Sequence, residues 1–557
     1  MRKQTKIAAI VSAAALLAIG ASMTSFAATG WQEEDGTWVY YNKNEERVTE
    51  EWEKSGDNWF YLDDNGEMAV DALIEDDDDY FYVDANGAMV RNQWVAIDNE
   101  DAGEDDEPDV WWYYFGANGK AYKKGSSHNG VFKKTINGKT YAFNEDGQMQ
   151  YGWVDSDGNT DYNDDAYQNC QYYFGDENDG AMTTGWREIA LTDVADADQD
   201  QPGDSYWDED QVRWFWFKSS GKKQTSKENK TINGRKYGFD DDGRMIADWY
   251  SASANDSDNN LSRRVNQVAT SGNSTRDYAE TFSYYSSPED GARYTKGWFK
   301  VIPGYYLNYG DYDDGTERWY YADGSGKLVA GEIKSIKGKK YAFDEKGSMI
   351  SGLALLKVDS SNQIDEYPAD DGAMPYDTED NFDDTALSLI GTDYKFYYFS
   401  NDADHDGTMK TGVQKVTIDG DTFTFKFEKS GTKKGQGVNG LDDKKYYVGG
   451  KLQSASSDDK IIVIDMATYE TYTVNEFIKL QGLTSKTLTE KLGKASKDDA
   501  VYGDGTLYDD IYKIWGADKF RVVNTSGTVV KSGSKKDGDD FKVVLQGNEI
   551  VQIIVED

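Results

Sequence analysis

Cysteine is nearly absent. The 557-residue chain has one, Cys170, so no disulfide can close within it, although small extracellular domains often depend on them. Histidine is as scarce: His128 and His405 are the only two, whereas a zinc amidase or zinc peptidase needs several converging on one metal. A Cys/His peptidase would have to pair Cys170 with one of them. Leucine, isoleucine and valine are too few for a large aliphatic core, with hydrophobic content at 38% and a mean hydropathy of −0.79. No apolar run after residue 27 is long enough to cross a bilayer. Positive charge is outweighed, 60 Lys and Arg against 102 Asp and Glu, for a net −42. Nucleic acid, which calls for a basic footprint, is thereby disfavoured as a partner.

Rings are abundant instead: 40 Tyr, 22 Phe and 16 Trp. Disordered acidic chains are poor in aromatics, so here the rings must supply the packing. Their arrangement is periodic. Eight of the 11 methionines (68, 89, 149, 182, 245, 349, 374 and 409) stand two residues after a glycine in a small acidic turn. An aromatic run precedes many such turns: Trp59-Phe60-Tyr61-Leu62 before Gly66, Tyr80-Phe81-Tyr82-Val83 before Gly87, Trp112-Tyr113-Tyr114-Phe115 before Gly119. Four or five apolar residues running into Asp, Asn and Gly spell a strand entering a tight turn. In such a strand Trp59 and Tyr61 face one side, Phe60 and Leu62 the other. A second variant reads TINGKTYAFNEDGQM at 135–149, TINGRKYGFDDDGRM at 231–245 and SIKGKKYAFDEKGSM at 335–349. Its Asn-Gly is a strong hairpin signal. Lone hairpins are marginal in water, so the expected fold is all-β: a β-hairpin solenoid of about 20-residue aromatic repeats. The methionines then fill gaps against rings.

Residues 1–27 read as a signal peptide, with Arg2, Lys3 and Lys6 ahead of an apolar stretch and Ser25-Phe26-Ala27 at the cleavage site. The repeat solenoid is expected over 28–455. Acidic insertions at 98–109, 155–165 and 193–210, and longer ones at 251–293 and 356–385, read as loops. Residues 456–557 lose the Gly-x-Met turns and read as a small α+β domain or cap, with helix over 474–492 and hairpins at 520–531 and 541–555.

The unit Gly-Trp, short turn, Trp-aromatic-Tyr, acidic turn, Gly-x-Met resembles the cell-wall-binding repeat family of Gram-positive bacteria. That family includes choline-binding and glucan-binding repeats and the C-terminal repeats of clostridial toxins. The resemblance covers roughly 30–455 with interruptions. In the choline branch a ligand sits between two tryptophans of one repeat and a tyrosine of the next. Carried over, this implies cages at Trp31, Trp38 and Tyr61, at Trp52, Trp59 and Tyr82, and at Trp298, Trp319 and Tyr341. Ring faces suit a quaternary ammonium because it has no hydrogen to donate, each ring contributing about 0.5–2 kcal/mol. Where tyrosine replaces the first tryptophan (Tyr80, Tyr141, Tyr237, Tyr341), sugar stacking or plain packing competes with choline.

The expected function is therefore that of a non-catalytic secreted surface protein needing no cofactor. It would be held non-covalently on the bacterial wall through choline-substituted teichoic acid or polysaccharide. One alternative is a carbohydrate-binding adhesin or secreted effector that recognises host or extracellular glycans; a third is an accessory subunit of a cell-wall hydrolase. Two acidic clusters resemble calcium loops. Asp402, Asp404 and Asp406 precede Gly407, but Val413 stands where the bidentate glutamate belongs. Asp155, Asp157, Asn159 and Asp161 have their glycine misplaced.

Overall fold

Alternation decides the strands. In Asn58–Leu62, Phe60 and Leu62 are buried while Trp59 is exposed, the period-two pattern of a strand with one packed face. It pairs antiparallel with Glu51–Ser55. The same build recurs from Gly30–Glu34 with Thr37–Tyr41 through to Glu332–Ile336 with Lys339–Phe343. The computed structural model describes residues 29–103, 107–163, 165–191, 211–251, 272–304, 307–366, 376–401, 407–480, 519–538 and 541–555. The leader and the expected insertion at 193–210 lie outside them.

Turn chemistry follows from the residues. Asn137 and Gly138 carry φ of 48° and 83°, the two left-handed positions of a type I′ hairpin turn. The acidic turns are Asx turns: Asp63 Oδ1 accepts from the Asn65 and Glu67 amides at 2.9 and 2.7 Å. Asp84, Asn144, Asp323 and Asp344 do the same. That is why Asp or Asn opens these turns three residues before the glycine, although Gly116 and Lys218 open those at Gly119 and Gly221.

Successive hairpins are joined by one recurring backbone bond. The residue two past the turn glycine donates its amide to a carbonyl at or near the start of the preceding hairpin's second strand. Between residues 1 and 246 these bonds are Met68 to Trp38, Met89 to Trp59, Ala121 to Tyr80, Met149 to Trp112, Lys223 to Gln171 and Met245 to Trp214, all 2.7–2.8 Å. The methionine side chain then lies beneath the next turn. A Cβ on Gly87, which has φ +76°, would fall 2.8 Å from Met68 Cε. Met89, Met149, Met182 and Met245 take the same place under Gly119, Gly180, Gly221 and Gly291. Methionine does pack rings, as Met149 does with Tyr141 and Phe143, but it also fixes glycine in the following repeat. Met374 lies outside the described residues.

The second compact unit, residues 247–287 and 292–557, repeats the bond: Leu328 to Phe282, Met349 to Trp319, Met409 to Lys340, and Val529 to Lys444 at 2.9 Å. The last of these reaches into the C-terminal hundred residues. Gly527 approaches Leu452 as Gly87 approaches Met68. Ile464 and Val523 share a core with Phe382, Phe396 and Phe425, so this segment is packed onto the last aromatic hairpins. The expected hairpins at Gly527 and Gly547 are present. The expected helix is described over Val474–Leu480, opened by a reciprocal Thr473–Glu476 capping box.

The insertions are not all loop. Short helices form at Ala166–Asn169 and Tyr309–Asp313, outside the expected insertions, and within them at Gly272–Ala279 and, running past residue 385, at Glu379–Ser388. The last has Thr378 as N-cap, Glu379 and Asp380 in its first turn, and Phe382 and Ala386 buried one turn apart. Lys451 pairs with Glu379 and Asp383 to hold it down.

Candidate aromatic binding corners

Hairpin pairing creates a corner beside each Gly-Trp. Trp298 stands opposite Tyr321, and Trp319 lies two residues along the partner strand, opposite Lys300. The next hairpin adds Tyr341 and, behind it, Phe343. Ring centroids lie 6.4 Å (Trp298–Trp319), 5.1 Å (Trp298–Tyr321), 4.8 Å (Trp298–Tyr341) and 5.6 Å (Trp298–Phe343) apart. The third trio expected from sequence is thus brought together, and both tryptophans are half-buried.

Two equivalent corners escaped the sequence reading. Trp186 meets Trp214 at 6.2 Å, Trp216 at 5.2 Å, Tyr237 at 4.8 Å and Phe239 at 5.7 Å. Trp94 meets Tyr114 at 5.2 Å, Tyr141 at 4.8 Å and Phe143 at 5.7 Å, with Trp112 in the same cluster. The signal was available: Tyr141, Tyr237 and Tyr341 hold one position of the TINGK-type hairpin, each six residues before its turn glycine. Each tyrosine also has a lysine directly across the hairpin, at Lys134, Lys230 and Lys334. Lys334 is neutralised by Glu332 at 2.6 Å.

The two N-terminal trios are arranged differently from the expectation. Trp31 packs on Tyr40 and Phe60 at 5.3 and 5.4 Å, and Trp52 on Tyr61 and Phe81 at 5.1 Å each. Phe60 and Phe81 fill the place that Tyr341 fills elsewhere. Tyr61 and Tyr82, one residue further on, are the cross-strand partners of Trp52 and Leu73. A step of one residue changes the face. Tyr82 donates its hydroxyl to Asp71. Trp38 and Trp59 do hold the second-tryptophan position, opposite Glu33 and Lys54, and Lys54 Nζ lies 6.0 Å over Trp59.

Two further corners are filled from within. Trp249 packs on Tyr284 and Tyr320 at 5.1 and 5.0 Å. It is 6% exposed, because Nε1 donates to the Ile302 carbonyl at 2.9 Å and Gly304 lies against the indole. Trp153 packs on Tyr173 and Phe215 at 5.0 and 5.3 Å, with Lys223 Nζ over its ring.

Among the described residues, the other sequence candidates carry no such geometry. Asp402, Asp404 and Asp406 lie outside the described residues, as does His405. Asp155 accepts from the amides of Asp157, Gly158 and Asn159 and from Asn159 Nδ2, so its lone pairs serve its own turn. Burial would raise its pKa, but these bonds bring it below the ordinary range. Cys170 is buried, which pushes its thiol up to about 12. His128 is exposed, edge-on to Phe132.

Against known proteins, residues 48–94 match the family model described as a choline-binding repeat. No curated protein matches the chain. Solved structures that superpose on it include CbpJ from Streptococcus pneumoniae TIGR4, at 16% identity over 70% of this chain and 99% of that one, with a TM-score of 0.35. Choline binding protein F from Streptococcus pneumoniae follows at 18%, 74%, 98% and 0.30. The modular autolysin LytC from the same organism stands at 17%, 60%, 56% and 0.30. These superpositions are loose, and the assignment stands on the repeat itself. Residues 48–94 carry the choline-binding repeat, the pattern that the Gly-Trp and Gly-x-Met turns elsewhere in the chain resemble.

Proposed function

We propose that this protein is a non-catalytic, exported surface protein that binds choline-substituted wall polymer at the Trp94, Trp186 and Trp298 corners. The stacked hairpins would form a solenoid, with 456–557 as its cap. The observation that carries the reading is the repetition of one geometry. Three tryptophans each stand 4.8 Å from the tyrosine of a following TINGK-type hairpin. A trimethylammonium group needs ring faces and no hydrogen-bond acceptor, so such a corner suits it. Surrounding carboxylates add a salt-dependent attraction for cations. Single corners are weak, and a polymer with repeated choline engages several together. The test is calorimetric titration with choline, followed by elution from cells with excess choline. Binding lost in Trp186→Ala and Trp298→Ala supports the reading; heat with wall polysaccharide and none with choline would remove it.

A glycan-binding adhesin or effector is the second reading. Its support is a row of rings beside the 155–165 insertion: Trp111, Tyr151 and Tyr162, with centroid steps of 6.5 and 5.6 Å. Tyr162 is 41% exposed, a platform on which a sugar face could stack.

A further inference from the structure

The Trp153 corner differs from the three open ones at one telling position. Where the hairpin following each of their tryptophans places Met149, Met245 or Met349 two residues past the turn glycine, the one following Trp153 places Lys223. The backbone is held alike: Lys223 donates its amide to Gln171 at 2.7 Å, as Met149 does to Trp112. The side chain is 5% exposed, about as buried as Met149 and Met245. Its Cγ and Cδ lie under Gly243, as the methionine side chains lie under the following turn glycines. What differs is the ammonium at its end. Its Nζ lies 5.3 Å from the centroid of Trp153 and donates to the Tyr167 carbonyl. Tyr167 is delivered by the short helix Ala166–Asn169 and packs 6.5 Å from Phe215.

Counter-charge stands close by. Asp240 and Asp242 act on the Lys223 ammonium. Both are bonded to Arg244, at 2.7 and 3.1 Å, and the guanidinium lies 5.4 Å over Tyr167. Lys223 is thus a buried cation set against a tryptophan face and a carbonyl. That is the environment in which an aromatic corner holds a positive ligand.

We infer that Lys223 is a resident cation: it occupies the Trp153 corner and closes it to any external quaternary ammonium. This rests on the reading that the open corners bind choline. Two cations cannot share one ring face in a dry site, where like charges repel strongly. Gln171, standing where the open corners have Trp112, Trp214 and Trp319, also removes the second indole.

The experiment counts choline bound to the full chain at pH 7 by equilibrium dialysis. Trp153→Ala should leave the count unchanged. Gln171→Trp, which restores the second indole but keeps the ammonium, should leave the count unchanged too. Lys223→Met with Gln171→Trp, which restores both residues found at the open corners, should raise it by one, and adding Trp153→Ala should remove that gain. No gain in Lys223→Met with Gln171→Trp, or a gain in Gln171→Trp alone, while the wild type binds choline at Trp186 and Trp298, overturns the proposal. A wild type that binds none overturns the choline reading instead. In lysine-labelled protein the Lys223 ε-methylene resonance decides independently whether the corner holds its own cation. Ring current should place it upfield of the exposed lysines and Trp153→Ala should return it, whereas an unshifted resonance overturns the proposal.

Discussion

The ring of Trp298 stands 4.8 Å from that of Tyr341, and the same distance separates Trp186 from Tyr237 and Trp94 from Tyr141. Three pairs in three superrepeats keep this spacing although the insertions between them differ in length. The tyrosine should therefore matter to binding one corner at a time. Tyr341→Ala should weaken choline at its corner about two- to thirty-fold, the worth of one ring face at about 0.5–2 kcal/mol. Tyr341→Phe should retain most of the affinity. Titration of each variant checks this, and equal losses from Ala and Phe would assign the effect to the hydroxyl.

How much of this was legible in the sequence depends on which period each feature follows. The strands, the acidic turns and the Phe60/Leu62 face follow alternation, and they were read from the residues. The resemblance to the choline branch asks for a tyrosine of the next repeat and so points to Tyr61 and Tyr82, yet alternation gives Phe60 and Phe81 those places. The helix at Glu379–Ser388 was missed because its sequence is acidic and shows only Phe382 and Ala386 on the buried side. The closing of Trp249 by Ile302 and Gly304 depends on a contact 53 residues distant, which no local pattern announces.

The glycine beneath each turn should be sensitive out of proportion to its size. Gly87→Ala meets two penalties: a side chain at φ +76° and a Cβ 2.8 Å from Met68 Cε. The backbone part is about 1–2 kcal/mol and the overpacking part about 1–3 kcal/mol. Thermal unfolding should show Gly87→Ala clearly destabilised. Adding Met68→Ala should cost less than the sum of the two single changes, since it frees the space the new methyl needs. Strict additivity would mean that the methionine does not set the constraint.

Tryptophans at equivalent positions should behave in opposite ways. Trp249 is closed over by its own chain, so Trp249→Ala should cost about 3–5 kcal/mol of stability, as deletion of a buried indole does. Its choline count should not change. Trp298→Ala, at a half-buried ring, should lose one choline site and less stability. Dialysis and denaturant unfolding of the two variants separate the roles.

The last prediction concerns pH. Burial lowers the Lys223 ammonium from its ordinary 10.5 to about 8, while Asp240, Asp242 and Cys170 oppose the shift and Arg244 adds to it. Below pH 8 folded and unfolded chains both hold the proton, and the folded state bears the cost of burying it. Between about 8 and 10.5 the unfolded chain holds a proton that the folded one has lost, so this group's contribution to stability rises with pH. The full rise corresponds to about 3 kcal/mol. Cys170, raised from 9 to about 12, works in the opposite direction above pH 9, so the comparison must be with Lys223→Met rather than with neutral pH alone. Hydrogen exchange over residues 211–245, corrected for intrinsic rates, gives the local opening energy of each protein. Lys223→Met should be the more protected at pH 7, and its advantage should shrink as pH passes from 8 towards 10.5. An advantage that stays constant over that range would mean that the lysine titrates at its ordinary value and bears no burial cost.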